Sequence, residues 1–255
     1  MSHQYLNKLK KEVNQLVSPA LDVLNQYLKF PTVSAQNMAI LETVSFVVKM
    51  IEDANGEAEV LDDLGGNPVI YGFFPAGSNG DSTKTLLFYN HYDVQPPEPL
   101  DEWESEPFDP TIREGKLFAR GVADNKGDLV ARLTAIKVLQ NVQGGLPCNI
   151  KFLIEGEEEV GSPNLEAFVS KNKSLLKADV ILISDSSLLS MDTPSLDTGM
   201  RGLSYIQVEV TGANRDLHSG TYGGAVANPI TILARMIASC HDENNHITIP
   251  GFYDD

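Results

Sequence analysis

The sequence predicts an α/β fold, a mostly parallel sheet flanked by helices, followed by the start of an α+β domain. Three observations lead there. Apolar runs of strand length alternate with segments of helical period over residues 1–196, as in chains built from strand–helix–strand units. Several of those runs stop abruptly at His, Asp or Glu, where the ligand crevice of an open α/β sheet lies. From residue 197 onward a strand-like and a helix-like segment recur without acids at the strand end.

Taken in order, Leu6, Leu9, Val13, Leu16 and Val17 recur at helical spacing, and Ser18-Pro19 restarts the pattern as an N-cap with proline in the first turn. Two successive helices are therefore expected before Phe30-Pro31. Ile40, Val44, Val47, Val48 and Ile51 form a third periodic segment that stops at Asn55-Gly56. AEVLDD and PVIYGFF read as strands, and Leu86 to Tyr89 as a buried strand. A helix marked by Leu129, Leu133, Ile136, Val138 and Leu139 runs to Gly144-Gly145. NIKFLIEG, Pro163 to Val169 and DVILISD then read as strand, helix and strand. Beyond Asp197, RGLSYIQVEVTG alternates like a half-buried strand and NPITILARMIASC reads as an apolar helix.

Composition bounds the function. At 255 residues and 42% hydrophobic, the chain can bury a full-sized core as one large domain plus part of another. With 35 acidic against 19 basic residues the net charge is −16, which disfavours nucleic acid and anionic membrane as partners and suits cations. Cys148 and Cys240 lie far apart without CxxC spacing and are expected as ordinary buried thiols. The N-terminus lacks the apolar core of a signal peptide and no run reaches membrane-spanning length, so a cytoplasmic location is expected.

The chemistry gathers at the strand ends. Leu86 to Tyr89 runs into His91-Tyr92-Asp93; ARGVADNKGD delivers Asp124 on a glycine-containing turn ahead of a helix; IKFLIEG runs into Glu157-Glu158-Glu159; VILIS runs into Asp185. Carboxylates collected at one end of a sheet repel one another by several kcal/mol in a dry crevice unless a cation holds them. One imidazole with several carboxylates fits Zn²⁺, Mn²⁺ or Co²⁺ better than Ca²⁺ or a thiolate-held metal. Each piece alone has a plainer reading: a structural histidine, an acidic helix cap for the glutamates, an N-cap for Asp185. Their common position at strand ends favours a site. Asp128 beside Lys126 reads as a surface ion pair without a role.

NHYDVQP, ARGVADNKG, IEGEEEVGS, ISD and DLHSGTYGG together resemble the signature stretches of the dinuclear zinc peptidase and amidohydrolase family of carnosinase-type dipeptidases, aminoacylases, acetylornithine deacetylase, succinyl-diaminopimelate desuccinylase and glutamate carboxypeptidase. HYDVQP resembles the dipeptidase branch most. The resemblance implies two divalent ions, with His91 and Asp185 on one, Asp124 bridging both and Glu159 on the second. It implies Glu158 as general base, Asp93 supporting His91, and a cis peptide bond between Asp124 and Asn125 held by Gly121 and Gly127. Glu157 falls at a variable position. It further implies that residues 1–196 belong to a catalytic domain and 197–255 begin a lid or dimerisation domain. There His218 would reach the neighbouring subunit's site in a homodimer and help hold substrate.

Members of that family are longer, and their second metal takes its last ligand from a histidine near the C-terminus. This chain is accordingly expected to be part of a longer one with an incomplete second site. His241 and His246 have no matching motif. The expected function is metal-dependent hydrolysis of a dipeptide or N-acyl amino acid, and the rival reading is a non-catalytic, metal-stabilised dimerisation or binding protein. Glu158 favours the enzyme, because a binding protein has no need of an unligated base. A glycosidase built on two carboxylates would leave His91 and Asp185 unexplained.

Overall fold

A computed structural model describes residues 3–62, 65–186, 189–190, 193, 195, 199 and 201–254. These fall into two compact units, Met1–Ser187 and Leu188–Asp255. Asp197 and several residues beside the expected boundary at 196/197 lie outside the described residues.

The first unit is built on a five-stranded sheet: β1 (Glu57–Leu61), β2 (Val69–Phe74), β3 (Ala76–His91), β6 (Leu146–Glu155) and β7 (Val180–Ile183), in the order β1-β2-β6-β3-β7. β6, β3 and β7 are parallel, and β2 runs antiparallel to both β1 and β6, so it alone opposes the common direction. Alternation along the strands feeds two layers. Ile70, Phe74, Ile150, Phe152 and Ile154 pack with helices α1 (His3–Leu28), α2 (Ile40–Glu52) and α3 (Gly127–Gln143) on one face. Val69, Tyr71, Leu87 and Leu153 pack on the other face with Phe168 of α4 (Leu165–Lys171) and with Leu176. The α/β class and the mostly parallel sheet expected from the sequence are thus observed. A short hairpin, β4 (Thr111–Arg113) and β5 (Lys116–Phe118), turns at Glu114 and Gly115, both at positive φ. That turn pattern was present in the sequence but carried too few residues to read as a hairpin.

Two expectations for the helices and charges of the first unit are corrected. Ser18-Pro19 does not divide α1, which runs unbroken through Pro19. An interior proline costs about 3 kcal/mol; here burial of Leu24, Tyr27 and Leu28 in the core, with Ala20 and Val23 packed beside it, holds the helix in line past that residue. Lys126 does not pair with Asp128 at the surface. It is fully buried, and its ammonium donates to the carbonyls of Phe30 (2.7 Å) and Tyr27 (3.3 Å) and to Thr32 Oγ1 (3.3 Å), joining the end of α1 to the turn before α3. Burial pushes its pKa down to about 7. Both cysteines are free thiols, as expected, but half-buried rather than buried.

In the second unit, α5 (Ser219–Tyr222) and α6 (Pro229–Ala238) are present, the latter capped by Asn228, whose side chain accepts from the Ile230 amide at 2.9 Å. The strand expected over RGLSYIQVEVTG does not form. A strand needs a ladder partner for its amides and carbonyls, and no described segment pairs with it; Leu203 and Tyr205 are 90% and 91% exposed.

Phe152 of β6 is fully buried, stacked on Phe88 (5.2 Å between centroids) and edge-on to Phe74 (5.9 Å). Phe152→Ala is expected to lower unfolding stability by about 3–5 kcal/mol in denaturant titration. A loss below about 1 kcal/mol would contradict this packing.

Candidate metal centre at the strand ends

Strand register brings the site together. In the parallel ladders Tyr89 lies opposite Ile183 and His91 opposite Glu155, so β3, β6 and β7 end at one level. His91 ends β3, Asp185 lies just past β7, and the Glu157–Glu159 turn follows β6. The fourth contribution, Asp124, comes from the π-helical turn Val122–Lys126, where its φ and ψ of −130° and 94° break the helical run. Gly121 enters that turn at φ +82°, and a Cβ on it would meet Val94 Cγ1 at 2.6 Å; a Cβ on Gly127 would meet the Val122 carbonyl oxygen at 2.2 Å. The Asp124–Asn125 peptide bond is cis, as expected.

His91 is fully buried, and both of its ring nitrogens face oxygen. Nδ1 lies 3.0 Å from the Asp93 carbonyl oxygen and 3.3 Å from Asp93 Oδ1. Nε2 lies 2.9 Å from Asp124 Oδ1, 3.2 Å from Asp185 Oδ2 and 3.9 Å from Glu158 Oε2. Burial pulls the imidazole pKa down, but hydrogen bonds to Asp124, Asp185 and Asp93 outweigh it and hold it up at about 12. Asp185 is pulled below the usual carboxylate range, first by His91. Glu158 is pushed up by burial and by Glu159, Asp185 and Asp124, with His91 opposing. Glu159 is likewise raised by burial and by Asp124, against a hydrogen bond from Gln95. The cluster is an excess of carboxylates around one imidazole.

The residues fit a divalent cation. Donor atoms of His91, Asp124 and Glu159 all lie within 4.8 Å of one another. The Nδ1 hydrogen bond to the Asp93 carbonyl leaves the Nε2 lone pair of a neutral ring aimed at the carboxylates, the tautomer that a metal ligand needs. Nitrogen and carboxylate oxygen together suit Zn²⁺, Mn²⁺ or Co²⁺.

Every expected residue of the first unit is therefore drawn into one cluster: His91, Asp93, Asp124, Glu158, Glu159 and Asp185. His218 belongs to the second unit, where its Nδ1 accepts from the Gly220 amide at 3.1 Å and caps α5. His246 stacks on Tyr253 (4.2 Å between centroids), and the backbone of His241 bridges to Ile247.

The sequence reading missed what holds these groups. The buried Asp93 carboxylate accepts from the amides of Glu158 (3.3 Å) and Glu159 (3.1 Å), so it fixes the glutamate turn as well as lying against His91. Glu157 accepts from the Asn67 amide (3.2 Å) and Asn164 Nδ2 (2.8 Å), tying that turn to two neighbouring loops. Gln95 Nε2 donates to Glu159 Oε2 at 2.7 Å. Buried Glu155, its pKa raised by burial, accepts from Tyr89 Oη (2.6 Å) and Ser162 Oγ (2.7 Å).

With the geometry in view, comparison with known proteins places the chain. The family model "Peptidase family M20/M25/M40" matches residues 87–248. The chain belongs to the M20/M25/M40 peptidase family. It is 43% identical over 178 residues to the Beta-Ala-His dipeptidase of Homo sapiens, a match covering 69% of this chain and 35% of that protein. To the Cys-Gly metallodipeptidase dug1 of Schizosaccharomyces pombe it is 33% identical over 264 residues, covering 98% of this chain and 55% of that one. The solved structure of the di-peptidase Dug1p of Saccharomyces cerevisiae superposes with a TM-score of 0.78 at 26% identity, covering 98% of this chain and 55% of that one. The chain thus spans between about a third and just over half of these M20/M25/M40 relatives.

Asp93→Ala frees the amides of both glutamates and removes the carboxylate beside His91. Affinity for Zn²⁺ or Co²⁺, measured by chelator competition, is expected to fall about 10–100-fold, the usual effect of removing groups that orient metal ligands. Unchanged affinity would show that Asp93 does not organise the cluster.

Proposed function

We propose that this chain carries the metal-binding part of a metallopeptidase that hydrolyses the amide bond of a dipeptide or an N-acyl amino acid. The observation that carries the reading is Glu158. Its carboxylate stands 3.9 Å from His91 Nε2 among the candidate ligands, yet a cation held by His91, Asp124 and Asp185 does not require it. Dipeptidases among the similar proteins support the same reading.

His91 and Asp185 would hold one divalent ion, Asp124 would bridge, and Glu159 would hold the second; Zn²⁺ suits these donors, with Mn²⁺ or Co²⁺ as substitutes. Such ions, when bound, supply Lewis acidity toward an amide carbonyl and lower the pKa of water. Glu158 takes the proton from the attacking water and passes it to the leaving nitrogen, a role helped by the raised pKa that burial and the neighbouring carboxylates impose. Asp93 keeps that carboxylate in place through the Glu158 amide.

Residues 1–196 form the N-terminal part of the catalytic domain in this proposal, and 197–255 begin a lid through which two chains pair. Because His218 Nδ1 accepts from Gly220, the proton of a neutral ring sits on Nε2, a donor suited to a substrate oxygen in the partner's site. No described helix is long and apolar enough to cross a membrane. The acidic charge disfavours nucleic acid and anionic membrane as partners, and a cytoplasmic location is part of this proposal.

A protein containing this chain is expected to cleave members of a panel of dipeptides and N-acyl amino acids when supplied with Zn²⁺, Mn²⁺ or Co²⁺. Glu158→Gln should then lower turnover by about 10²–10⁴-fold with metal content retained. Near-normal turnover in that variant would move the base to another residue.

A further inference from the structure

The ligand-bearing strand ends share one buried cation that belongs to the protein itself. Arg132 lies on the core-facing stripe of α3 with Leu129, Leu133 and Ile136, and only 8% of it is exposed. Its Nη1 donates to the Tyr89 carbonyl at 2.8 Å and to Asn90 Oδ1, both at the end of β3. Its Nη2 donates to the Ser184 carbonyl at 2.9 Å and to Ser184 Oγ, both just past β7. Asn90, fully buried, extends the network: its Nδ2 donates to Asn125 Oδ1 at 2.7 Å.

Three residues of this network adjoin a candidate metal ligand. Asn90 precedes His91, Ser184 precedes Asp185, and Asn125 follows Asp124. A planar guanidinium with donors in a fixed fork sets the separation of two strand ends in a way that a single ammonium on a flexible stem does not. A parallel ladder aligns β3 and β7 only as far as Tyr89 and Ile183. Beyond that point Arg132 hydrogen-bonds to Asn90 at the end of β3 and to Ser184 just past β7.

From this geometry we infer that Arg132 is a positioning residue that sets the spacing of His91, Asp124 and Asp185 by bridging Asn90 and Ser184 directly and reaching Asn125 through Asn90. The inference rests on the metal reading above but concerns a residue that touches neither metal nor substrate. A packing role alone would make Arg132 matter to stability without altering the ligand geometry.

The test compares the wild-type chain, Arg132→Lys and Asn90→Ala, with folding checked by circular dichroism and each variant studied well below its melting temperature. Zn²⁺ affinity is measured by chelator competition, and the visible spectrum is recorded with Co²⁺ at saturation. Arg132→Lys keeps the charge but loses the fork; it is expected to bind Zn²⁺ about 10–100-fold more weakly and to shift the Co²⁺ bands. Folded Arg132→Lys with wild-type affinity and spectrum would overturn the inference and leave the metal reading standing. If Arg132→Lys does not fold, Asn90→Ala decides: weaker binding with shifted bands supports the bridge, and wild-type behaviour overturns it. Failure of the wild type to take up either ion would overturn the metal reading and this inference together.

Discussion

The first unit is organised around a buried imidazole that faces more carboxylate than one histidine can neutralise. His91 has no solvent exposure, and Asp124, Asp185 and Glu158 approach its Nε2 from three different segments of the chain. Assembling such a group is unfavourable on its own, because anions held this close together repel each other. Hydrogen bonds to Asp124, Asp185 and Asp93 outweigh burial and hold the His91 pKa far above that of a free imidazole, at about 12. A divalent ion held there would offset the same carboxylates with more charge.

Geometry at that point depends on groups that are not themselves candidate ligands. Asp93 receives the two glutamate amides, Glu157 ties the glutamate turn to Asn67 and Asn164, and Arg132 joins the ends of β3 and β7. The division of labour is physical: short strand-end residues bring the charges together, and buried hydrogen-bonded groups stop them from relaxing apart. Asp124, with 64% of its side chain exposed, marks the open side of the cluster.

What could be read from the sequence follows what is local. Strand runs ending in His91, Glu157–Glu159 and Asp185 were legible because an apolar run that stops at an acid is visible in one window, and parallel ladders bring their ends to one level. Pro19 misled because its effect on α1 is decided by Leu24, Tyr27 and Leu28 packing against the core, contacts that no local window contains. Lys126 misled for the same reason: its partners are Tyr27, Phe30 and Thr32, nearly a hundred positions away. Arg132 left a signal that went unread, a lone arginine on an otherwise apolar helix stripe, which has to be paired with something polar in the core. The alternation in RGLSYIQVEVTG describes what a strand would bury, and finds no partner among the described residues.

The central claim is that the strand-end cluster around His91 is built for a divalent cation, and anomalous diffraction from crystals of the chain grown with Zn²⁺ tests it most directly. An anomalous peak at the zinc edge is expected at about 2.0–2.1 Å from His91 Nε2, with carboxylate oxygens of Asp124 and Asp185 completing its near coordination. A map with no peak in the cluster, and with His91 still hydrogen-bonded directly to Asp124 and Asp185, would contradict it.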